Sequence, residues 1–566
     1  MKKKLLSLLL FIIPVLTFAQ EKGLDQKIDE AFKPVSDFFS QVIFFKVWHD
    51  PEIPFVLVLL VGSAAFFTIY FSFPNIRHFW TAISVVRGKY EDIEKHGAQF
   101  LYGEDGIAQG VDMNKVDDIA EHIEQALEVH SDLEIDGDIK DTIRDESEHG
   151  EVSHFQALAT AVSGTVGNGN IAGVALAIAL GGPGATFWMI ICGLLGMSTK
   201  FVECTLGVQY RDIGEDGTVY GGPMYYLSKG LKEKGFKTLG KISAVVFAVF
   251  CIGGSFGGGN AAQSNQATVV IKDLLGLQSS SAGALIGLVL AVVVGIIIIG
   301  GIKRIATVTE KVVPFMALLY IVACLYIIFS NFGLLDDAIS LIMAEAFSPT
   351  AIGVGSVIGV LLVGFKRAAF SNEAGAGSAS IAHSAVRTKY SASEGLVALL
   401  EPFIDTVVIC TMTAVVIVIF NFGGAFQYGG DGSGVVYIDG MPFEGAGITS
   451  QAFAQYIPYS NVFLTIAVVL FAVSTMISWS YYGLQSWKYL FGRGKKADLT
   501  YKFLFLTFVV IGAAASMKSI WDFSDAMIFA MVFPNMIGLF LLTPVVKKQL
   551  RRYLVAINLK KEAIES

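Results

Sequence analysis

The sequence has little charge and few cysteines for its length, and it lacks an excess of basic residues. Only 16% of its 566 residues are charged and 54% are hydrophobic, which argues against an ordinary water-soluble globule. The net charge of −8 gives no basic surface for nucleic acid, so we expect no nucleic-acid partner. All five cysteines fall in apolar runs without metal-ligand spacing, so we expect neither disulfides nor a zinc site.

Sequence motifs of catalysis are absent as well. The chain has no Walker loop, no nucleophile elbow and no zinc-binding histidine pair, so we do not expect an enzyme. The chain does have continuous apolar runs, which lack the polar alternation of barrel strands. Runs of this length predict an all-α polytopic protein embedded in a lipid bilayer.

Eleven apolar runs predict eleven transmembrane helices. They cover residues 55–73, 155–180, 185–208, 242–267, 284–302, 312–329, 352–365 (with a polar continuation to 384), 396–420, 463–484, 501–517 and 523–545. Lys and Arg cluster in the connections on one side, whereas the opposite connections 331–349 and 421–461 contain none. The positive-inside rule then places a segment 20–54 in the periplasm and a tail 546–566 in the cytoplasm of a bacterial cell, with the helices in its inner membrane.

Two segments fall outside the predicted helices and connections of ordinary length. Residues 1–19 combine a run of lysines, an apolar core and small residues before Gln20, which predicts a cleaved signal peptide. An uncleaved anchor is the alternative. The loop 88–153 is long, acidic and predicted to be cytoplasmic. It fits a solvated insertion, with a regulatory role as the alternative, while the glycine-rich stretch 423–447 fits a cover or a tolerated insertion.

The second apolar run is interrupted at its centre by residues 164–173, which contain four glycines and two asparagines. Glycine costs roughly 1 kcal/mol per position in a helix, and an asparagine in hydrocarbon must find a hydrogen-bond partner. We therefore predict a helix broken at mid-membrane, whose freed peptide groups face a polar cavity that can hold a small ion or a zwitterion. A glycine face that packs against a neighbouring helix is the alternative.

A second interruption follows the seventh run, where residues 366–380 are again rich in glycine and contain Asn372. Without the first run, ten helices remain, and the two interruptions lie on the first and the sixth. This spacing predicts two five-helix repeats of inverted topology, residues 155–330 and 349–545, each beginning with a discontinuous helix. The alternative for the second motif is a basic cytoplasmic helix end followed by a re-entrant segment.

The ninth run carries adjacent hydroxyls at Ser474 and Thr475, with Trp479 one turn further on. Two hydroxyls, together with the carbonyls freed by the first break, would supply oxygen ligands to a hard cation without any carboxylate. Such a set of ligands suits sodium. Alternatively, the hydroxyls bond back to their own helix and the indole lies in an interface belt.

Other polar residues in apolar runs have less specific interpretations. Asn260 and Gln263 in the fourth run suggest a cavity wall. Glu401 and Asp405 suit a proton path or structural hydrogen bonds, and structural bonds are preferred. Lys200 and Glu203 are predicted to form an ion pair at a helix end.

Several motifs resemble the alanine or glycine:cation symporter family: GTVGNGNIAGVA at 164–175, GGPGA at 181–185, GGPMYY at 221–226, FSNEAG at 370–375 and WSYYG at 479–483. The resemblance covers about residues 55–545. It implies a leucine-transporter-type core of inverted five-helix repeats with two discontinuous helices, which cotransports sodium with alanine or glycine. The N-terminal region, the acidic loop and the enlarged 423–447 stretch depart from the family pattern.

The resemblance also implies site residues. Substrate is expected at Thr165, Gly167 and Asn170, against Thr475 and Trp479. By analogy with the wider fold, sodium is expected at the carbonyls of Ser163 and Val166 and the hydroxyls of Ser474 and Thr475. Further candidates are Asn260, Gln263, Asn372 and Asp405.

Three other functions stay open at this point. A proton-coupled permease for small amino acids would titrate Glu401, Asp405 or Glu373. A channel would pass current far in excess of labelled substrate. A membrane sensor of amino acids would lose signalling on mutation while it kept normal uptake.

Overall fold

The computed structural model describes residues 24–49, 52–96, 150–214, 217–277, 279, 281–348, 356–430 and 432–565. The predicted signal peptide and residues 97–149 of the predicted acidic loop lie outside these ranges. Within them the chain is mostly helical and forms three two-stranded antiparallel hairpins. The all-α class is therefore confirmed for the described residues.

The N-terminal region contributes one long helix, a hairpin, the helix of the first apolar run and three short helices. These are α1 (Leu24–Ile43), β1 (Lys46–His49), β2 (Glu52–Pro54), α2 (Phe55–Tyr70), α3 (Pro74–Arg77), α4 (Phe79–Val86) and α5 (Glu91–His96). Helix α1 lies in the segment that the sequence predicts as periplasmic. It is amphipathic, and Ser36 is buried on its inner face.

The next part of the chain holds the second to sixth apolar runs. Its elements are α6 (His154–Thr165), a π-helical turn (Gly169–Gly173), α7 (Val174–Gly181), α8 (Ala185–Gln209), β3 (Asp212–Ile213), β4 (Val219–Tyr220), α9 (Pro223–Tyr225), a π-helical turn (Tyr226–Gly230), α10 (Leu231–Glu233), α11 (Lys237–Phe256), a π-helical turn (Gly257–Ala261), α12 (Ala262–Leu275), α13 (Ala282–Ile298), α14 (Gly301–Ser330), a 3-10 turn (Phe332–Leu334) and α15 (Leu335–Phe347).

The remaining runs form the second half of the core. Its elements are α16 (Val357–Asn372), α17 (Ala379–His383), α18 (Ser391–Ala398), α19 (Leu400–Pro402), a π-helical stretch (Phe403–Cys410), α20 (Thr411–Asn421), β5 (Val436–Ile438), β6 (Met441–Phe443), α21 (Ala446–Tyr456), α22 (Ser460–Phe491), α23 (Lys495–Ala514) and α24 (Met517–Glu565).

Seven helical spans among the described residues are long and apolar enough to cross a membrane, and the bent pair α6 and α7 makes an eighth. Helices α2 and α13 are apolar but shorter. Each predicted run thus contains helix, and the chain is a multi-pass membrane protein. The total of eleven spans and the inverted repeats stay predictions.

The starts of the two discontinuous helices follow from their sequences. Ser153 caps α6 in a capping box, in which its hydroxyl accepts from the Gln156 N–H and the Gln156 side chain accepts from the Ser153 N–H. Ser356 caps α16 by accepting from the Gly359 N–H. Ser153 lies just before its apolar run, whereas Ser356 lies within the run 352–365, and each cap fixes the residue at which the helix begins.

The connection between α20 and α22 is more ordered than the sequence indicates. It contains the β5–β6 hairpin and α21, which are not in the predicted element order. The Thr449 hydroxyl donates to the Ile171 carbonyl at 3.2 Å, and the Gly429 N–H donates to the Ala179 carbonyl at 2.8 Å. The connection therefore covers one end of the first discontinuous helix.

Candidate functional site

The first predicted break is present in the structure. Helix α6 ends at Thr165, helical structure resumes at Gly169, and the two halves are bent by 49°. The freed Gly167 N–H donates to Asn170 Oδ1 at 2.9 Å, and the Asn168 N–H donates to Gln263 Oε1 at 2.9 Å. Side chains therefore satisfy these peptide groups, as backbone at this depth requires.

The second predicted break is present too, but it begins later than the apolar run suggests. Helix α16 continues past Phe365 to Asn372, Glu373 takes the left-handed conformation with φ +56°, and helical structure resumes at Ala379. The alternative of a basic cytoplasmic helix end after Phe365 is wrong, since Arg367 is buried within the helix. Asn372 Nδ2 donates to the Thr406 hydroxyl at 2.9 Å and so ties this break to the π-helical stretch 403–410.

Asp405 joins the two breaks. Its carboxylate accepts from Asn170 Nδ2 at 2.6 Å and from the Ser371 hydroxyl at 3.1 Å, and it also accepts from the Thr406 hydroxyl at 2.7 Å. One residue from each broken helix therefore contacts the same buried carboxylate. This arrangement fits the structural role preferred for Asp405.

A small cavity of about 10 Å³ lies between the two breaks and helix α22. This is room for about one water molecule. Its walls among the described residues are Gly164, Thr165, Gly169, Gly258, Gln263, Phe370, Ser371, Glu373, Thr475, Trp479 and Ile528. The structure thus brings four of the predicted residues to one cavity: Thr165, Gln263, Thr475 and Trp479.

The other predicted substrate residues lie next to this cavity or support it. Gly167 packs so closely on Thr475 that an added Cβ would lie 2.4 Å from its hydroxyl oxygen. Asn170, Asn260 and Asn372 are not among the described residues that line the cavity. Asn260 Nδ2 instead donates to the Phe505 carbonyl at 2.6 Å, which ties the π-helical turn 257–261 to α23.

Trp479 is held in place from two sides. Its indole N–H donates to Glu373 Oε1 at 2.8 Å. Gly259 lies against the ring, where an added Cβ would come within 2.1 Å of Trp479 Cγ. Sequence reasoning considered Glu373 only as a proton carrier and missed this contact, although the residue lies within the FSNEAG motif.

The predicted cation residues meet where α6 crosses α22. The Thr475 hydroxyl donates to the Ser163 carbonyl at 3.0 Å, and the Ser163 hydroxyl donates to the Ser474 carbonyl at 2.7 Å. The Ser474 hydroxyl bonds back to the Phe471 carbonyl of its own helix at 2.9 Å. Val166, at the end of α6, is fully buried. The crossing therefore gathers neutral oxygen atoms, the ligand type that hard cations prefer.

The ion pair predicted between Lys200 and Glu203 is wrong. Lys200 is fully buried and its ammonium lies 3.0 Å from Glu401 of α19, while Glu203 accepts from Asn535 Nδ2 at 2.8 Å. Both residues lie inside α8, so their partners are on neighbouring helices. Further close pairs continue from Glu401 to the partly exposed His154: Glu401–His383 at 3.6 Å, His383–Glu394 at 2.5 Å, Glu394–His154, and His154–Glu94 at 2.7 Å.

Comparison with known proteins connects these motifs to a family. A sequence model described as the sodium:alanine symporter family matches residues 135–565. The sodium/alanine symporter AgcS of Methanococcus maripaludis is 40% identical over 412 residues, which cover 72% of this chain and 86% of that protein. A Bacillus subtilis protein named "Probable sodium/glutamine symporter GlnT" is 35% identical over 404 residues, which cover 71% of this chain and 78% of that protein.

Solved structures give weaker likenesses. MhsT in complex with L-phenylalanine has a TM-score of 0.47 at 14% identity and covers 72% of this chain and 99% of that one. A manganese transporter of Eremococcus coleocola has a TM-score of 0.45 at 12% identity, and the match covers 73% of this chain and 92% of that one. Since both scores are below 0.5, no argument rests on them. The match to the sequence model spans well over half of the chain, so the chain belongs to the sodium:alanine symporter family and is a cation-coupled amino-acid transporter.

Proposed function

We propose that this protein is a secondary active transporter that takes up alanine or glycine together with sodium by alternating access. The observation that carries the proposal is the cavity between the two helix breaks. Backbone from the first break, the Thr475 hydroxyl and the Trp479 indole face the same small space. A buried cavity with exposed peptide groups and few fixed charges suits a small zwitterion.

The first break offers both partners that an amino acid needs. Helix α6 ends at Thr165, so its last carbonyls carry partial negative charge and can accept from the substrate ammonium. The helical segment from Gly169 to Gly181 begins on the other side, and the N–H of Gly169, which lines the cavity, can donate to the carboxylate. Asn170 holds the turn between them, because its side chain bonds both Gly167 and Asp405.

The cavity walls restrict the substrate to small side chains. Phe370, Trp479 and Ile528 line the cavity, which must widen to accept even alanine. We expect these three side chains to exclude residues larger than serine. One relative is named as a probable sodium/glutamine symporter, so we expect residues of the cavity wall, and not the shared fold, to set the size of the substrate.

Sodium is proposed to bind at the crossing of α6 and α22. Its ligands would be the carbonyls of Ser163 and Val166 and the hydroxyls of Ser474 and Thr475. The contacts at the crossing support this, since the Thr475 hydroxyl already lies 3.0 Å from the Ser163 carbonyl. A cation placed there would hold the first broken helix against α22 and so complete the neighbouring substrate cavity.

The sodium gradient would drive accumulation as the two proposed repeats rock about the site. One sodium ion that moves through a potential of about 100 mV contributes about 2.3 kcal/mol. This free energy supports roughly fifty-fold accumulation of substrate before any concentration gradient is added.

Proton coupling is the second candidate, and one observation favours it. A chain of close titratable groups, buried up to the partly exposed His154, runs from Lys200 through Glu401, His383 and Glu394 to His154. Such a chain can move protons between helices. Sodium coupling is preferred because the oxygen atoms at the α6–α22 crossing adjoin the substrate cavity directly.

The test is uptake of labelled alanine and glycine into liposomes that contain the purified protein. We expect uptake with an inward sodium gradient, and little with lithium or with a proton gradient alone. Uptake that follows the proton gradient and ignores sodium would favour the proton-coupled permease. Current far in excess of labelled substrate would indicate a channel, and no uptake under any gradient would favour a sensor.

A further inference from the structure

The N-terminal helix α1 is bonded to the ends of several core helices. Asp25 accepts from the N–H groups of Gly283 and Ala284 at 3.3 Å each, which lie at the start of α13. Asp29 accepts from the N–H and the hydroxyl of Ser516 at 2.9 and 2.8 Å, just before α24. The Ser36 hydroxyl donates to the Ser519 carbonyl at 2.7 Å. Helix α1 therefore connects α13 to the first turn of α24.

Aromatic contacts continue this attachment further along α24. The Phe32 ring lies 5.1 Å from the Phe523 ring and 6.5 Å from the Phe508 ring of α23. Beyond the end of α1, the Phe44 ring lies 5.4 Å from the Phe529 ring. The N-terminal segment thus packs against the first three turns of α24.

The opposite face of the same turns forms the wall of a cavity of about 180 Å³. Trp521, Asp522 and Asp525 line it, whereas Ser519 and Phe523 face α1. The alternation follows helical periodicity, which places residues three and four apart on one face. A shift of α24 away from α1 or toward it must therefore change the width of this cavity.

The cavity also contains a cluster of charges that the N-terminal segment contacts. Asp525 of α24 pairs with Arg367 of α16 and lies 2.8 Å from the Lys366 ammonium. The Phe44 ring lies 4.5 Å from the same ammonium, within cation–π distance. Arg367 Nη1 and Asp525 Oδ1 are buried and have no hydrogen-bond partner among the described residues. Phe44 thus reaches the ion pairs that bridge the cavity from α16 to α24.

We propose that α1 and Phe44 form a clamp that holds the α24 wall of this cavity in place and so controls how far the cavity opens. The clamp lies at residues 24–44, before the family match begins at residue 135. Removing a clamp contact frees the first turns of α24, weakens the bridge to α16 and widens the cavity. The clamp is separate from the proposed transport activity, because it concerns cavity width in the absence of substrate.

The test is thiol labelling of a cysteine placed in the cavity wall. Val363→Cys puts a thiol at a position that lines the cavity, and the five native cysteines are buried. The full-length protein is purified in detergent, and its reaction with a maleimide is timed against the parent without Val363→Cys. We expect Phe32→Ala and Phe44→Leu each to raise the labelling rate of the added cysteine about fivefold.

Phe38→Ala is the matched control, because this phenylalanine lies on the same helix but is 61% exposed. We expect it to leave the rate unchanged. Labelling of Phe32→Ala and Phe44→Leu at the Phe38→Ala rate would overturn the proposal. If Phe32→Ala unfolds the protein, its native cysteines also react, and Phe44→Leu then decides the outcome. Sodium-dependent uptake is measured separately, so a failure of the transport proposal is distinguishable from a failure of the clamp.

Discussion

Trp479 forms one wall of the central cavity, and we propose that its size limits the substrate. Trp479→Ala removes the indole and leaves space for a longer side chain. We expect leucine or glutamine to compete with labelled alanine about tenfold better than in the unmodified protein. Competition in proteoliposomes measures this. Trp80→Ala is the control, since that indole is 75% exposed. Unchanged selectivity of Trp479→Ala would remove the residue from the pocket.

Glu373 positions Trp479 through a single hydrogen bond of 2.8 Å. A glutamine keeps an acceptor oxygen at this place, whereas an alanine leaves the indole N–H unpaired. We therefore expect Glu373→Gln to keep the preference for small substrates and Glu373→Ala to relax it as Trp479→Ala does. The ratio of the KM values for alanine and serine is the readout. Loss of all alanine binding in Glu373→Gln would instead assign the carboxylate to direct contact with the substrate.

For single residues, the sequence predicts those properties that depend on the residue type and on its neighbours along the chain. Ser474 and Thr475 are adjacent hydroxyls in an apolar run, so the prediction that they supply oxygen ligands to a cation can be made without a structure. The contact between Glu373 and Trp479 cannot be predicted in this way, because the partners are far apart in sequence and meet only when α16 and α22 pack. The wrong Lys200–Glu203 pair has the same cause, since Lys200 bonds Glu401 of another helix.

Among the helices, the first break depends on how closely α6 approaches α22. Gly167→Ala would place a Cβ 2.4 Å from the Thr475 hydroxyl and push the two helices apart. We expect alanine affinity to fall more than tenfold, since the same crossing is proposed to hold sodium. Binding to the purified protein measures it.

Gly173→Ala is the matched control for Gly167→Ala. Its added Cβ would meet Trp521 at 3.5 Å, which is ordinary contact. We expect near-normal affinity and slightly higher stability, because alanine favours helix. Equal loss of affinity in both variants would show that the break tolerates no side chain anywhere, and the specific role of the crossing would then be wrong.

The helix breaks could be predicted because glycine and asparagine are poor helix formers in a place where lipid forbids free peptide groups. Helices α1 and α21 could not. Helix α1 lies in the predicted periplasmic segment 20–54 and α21 in the predicted connection 421–461, and each packs along a core element that only the folded chain supplies. The length of α16 was underestimated for a related reason, since Arg367 lies inside the helix only because Asp525 is there to pair with it.

For the molecule as a whole, the distribution of Lys and Arg predicts that the C-terminus lies in the cytoplasm. A green fluorescent protein fused to the C-terminus should therefore fluoresce in bacteria. Alkaline phosphatase fused at the same place should be inactive, and the same enzyme inserted at Gly440 in the β5–β6 hairpin should be active. The opposite pattern of activities would invert the proposed topology and the direction of transport.

Family membership and the polytopic class were accessible from the sequence because the motifs are long and the apolar runs continuous. The number of spans and the inverted repeats stay predictions, since α2 and α13 are short for a bilayer. The small size of the central cavity, which has room for about one water molecule, could not be predicted from the sequence. It depends on how Phe370, Trp479 and Ile528 pack together.

The proposed sodium site at the crossing of α6 and α22 links binding of the cation to binding of the amino acid. This link is tested most directly by titrating alanine into the purified protein at increasing sodium, with choline as the replacement ion. We predict that saturating sodium tightens alanine binding about tenfold, and that Thr475→Val removes this dependence. Alanine binding of equal strength in sodium and in choline would contradict the account.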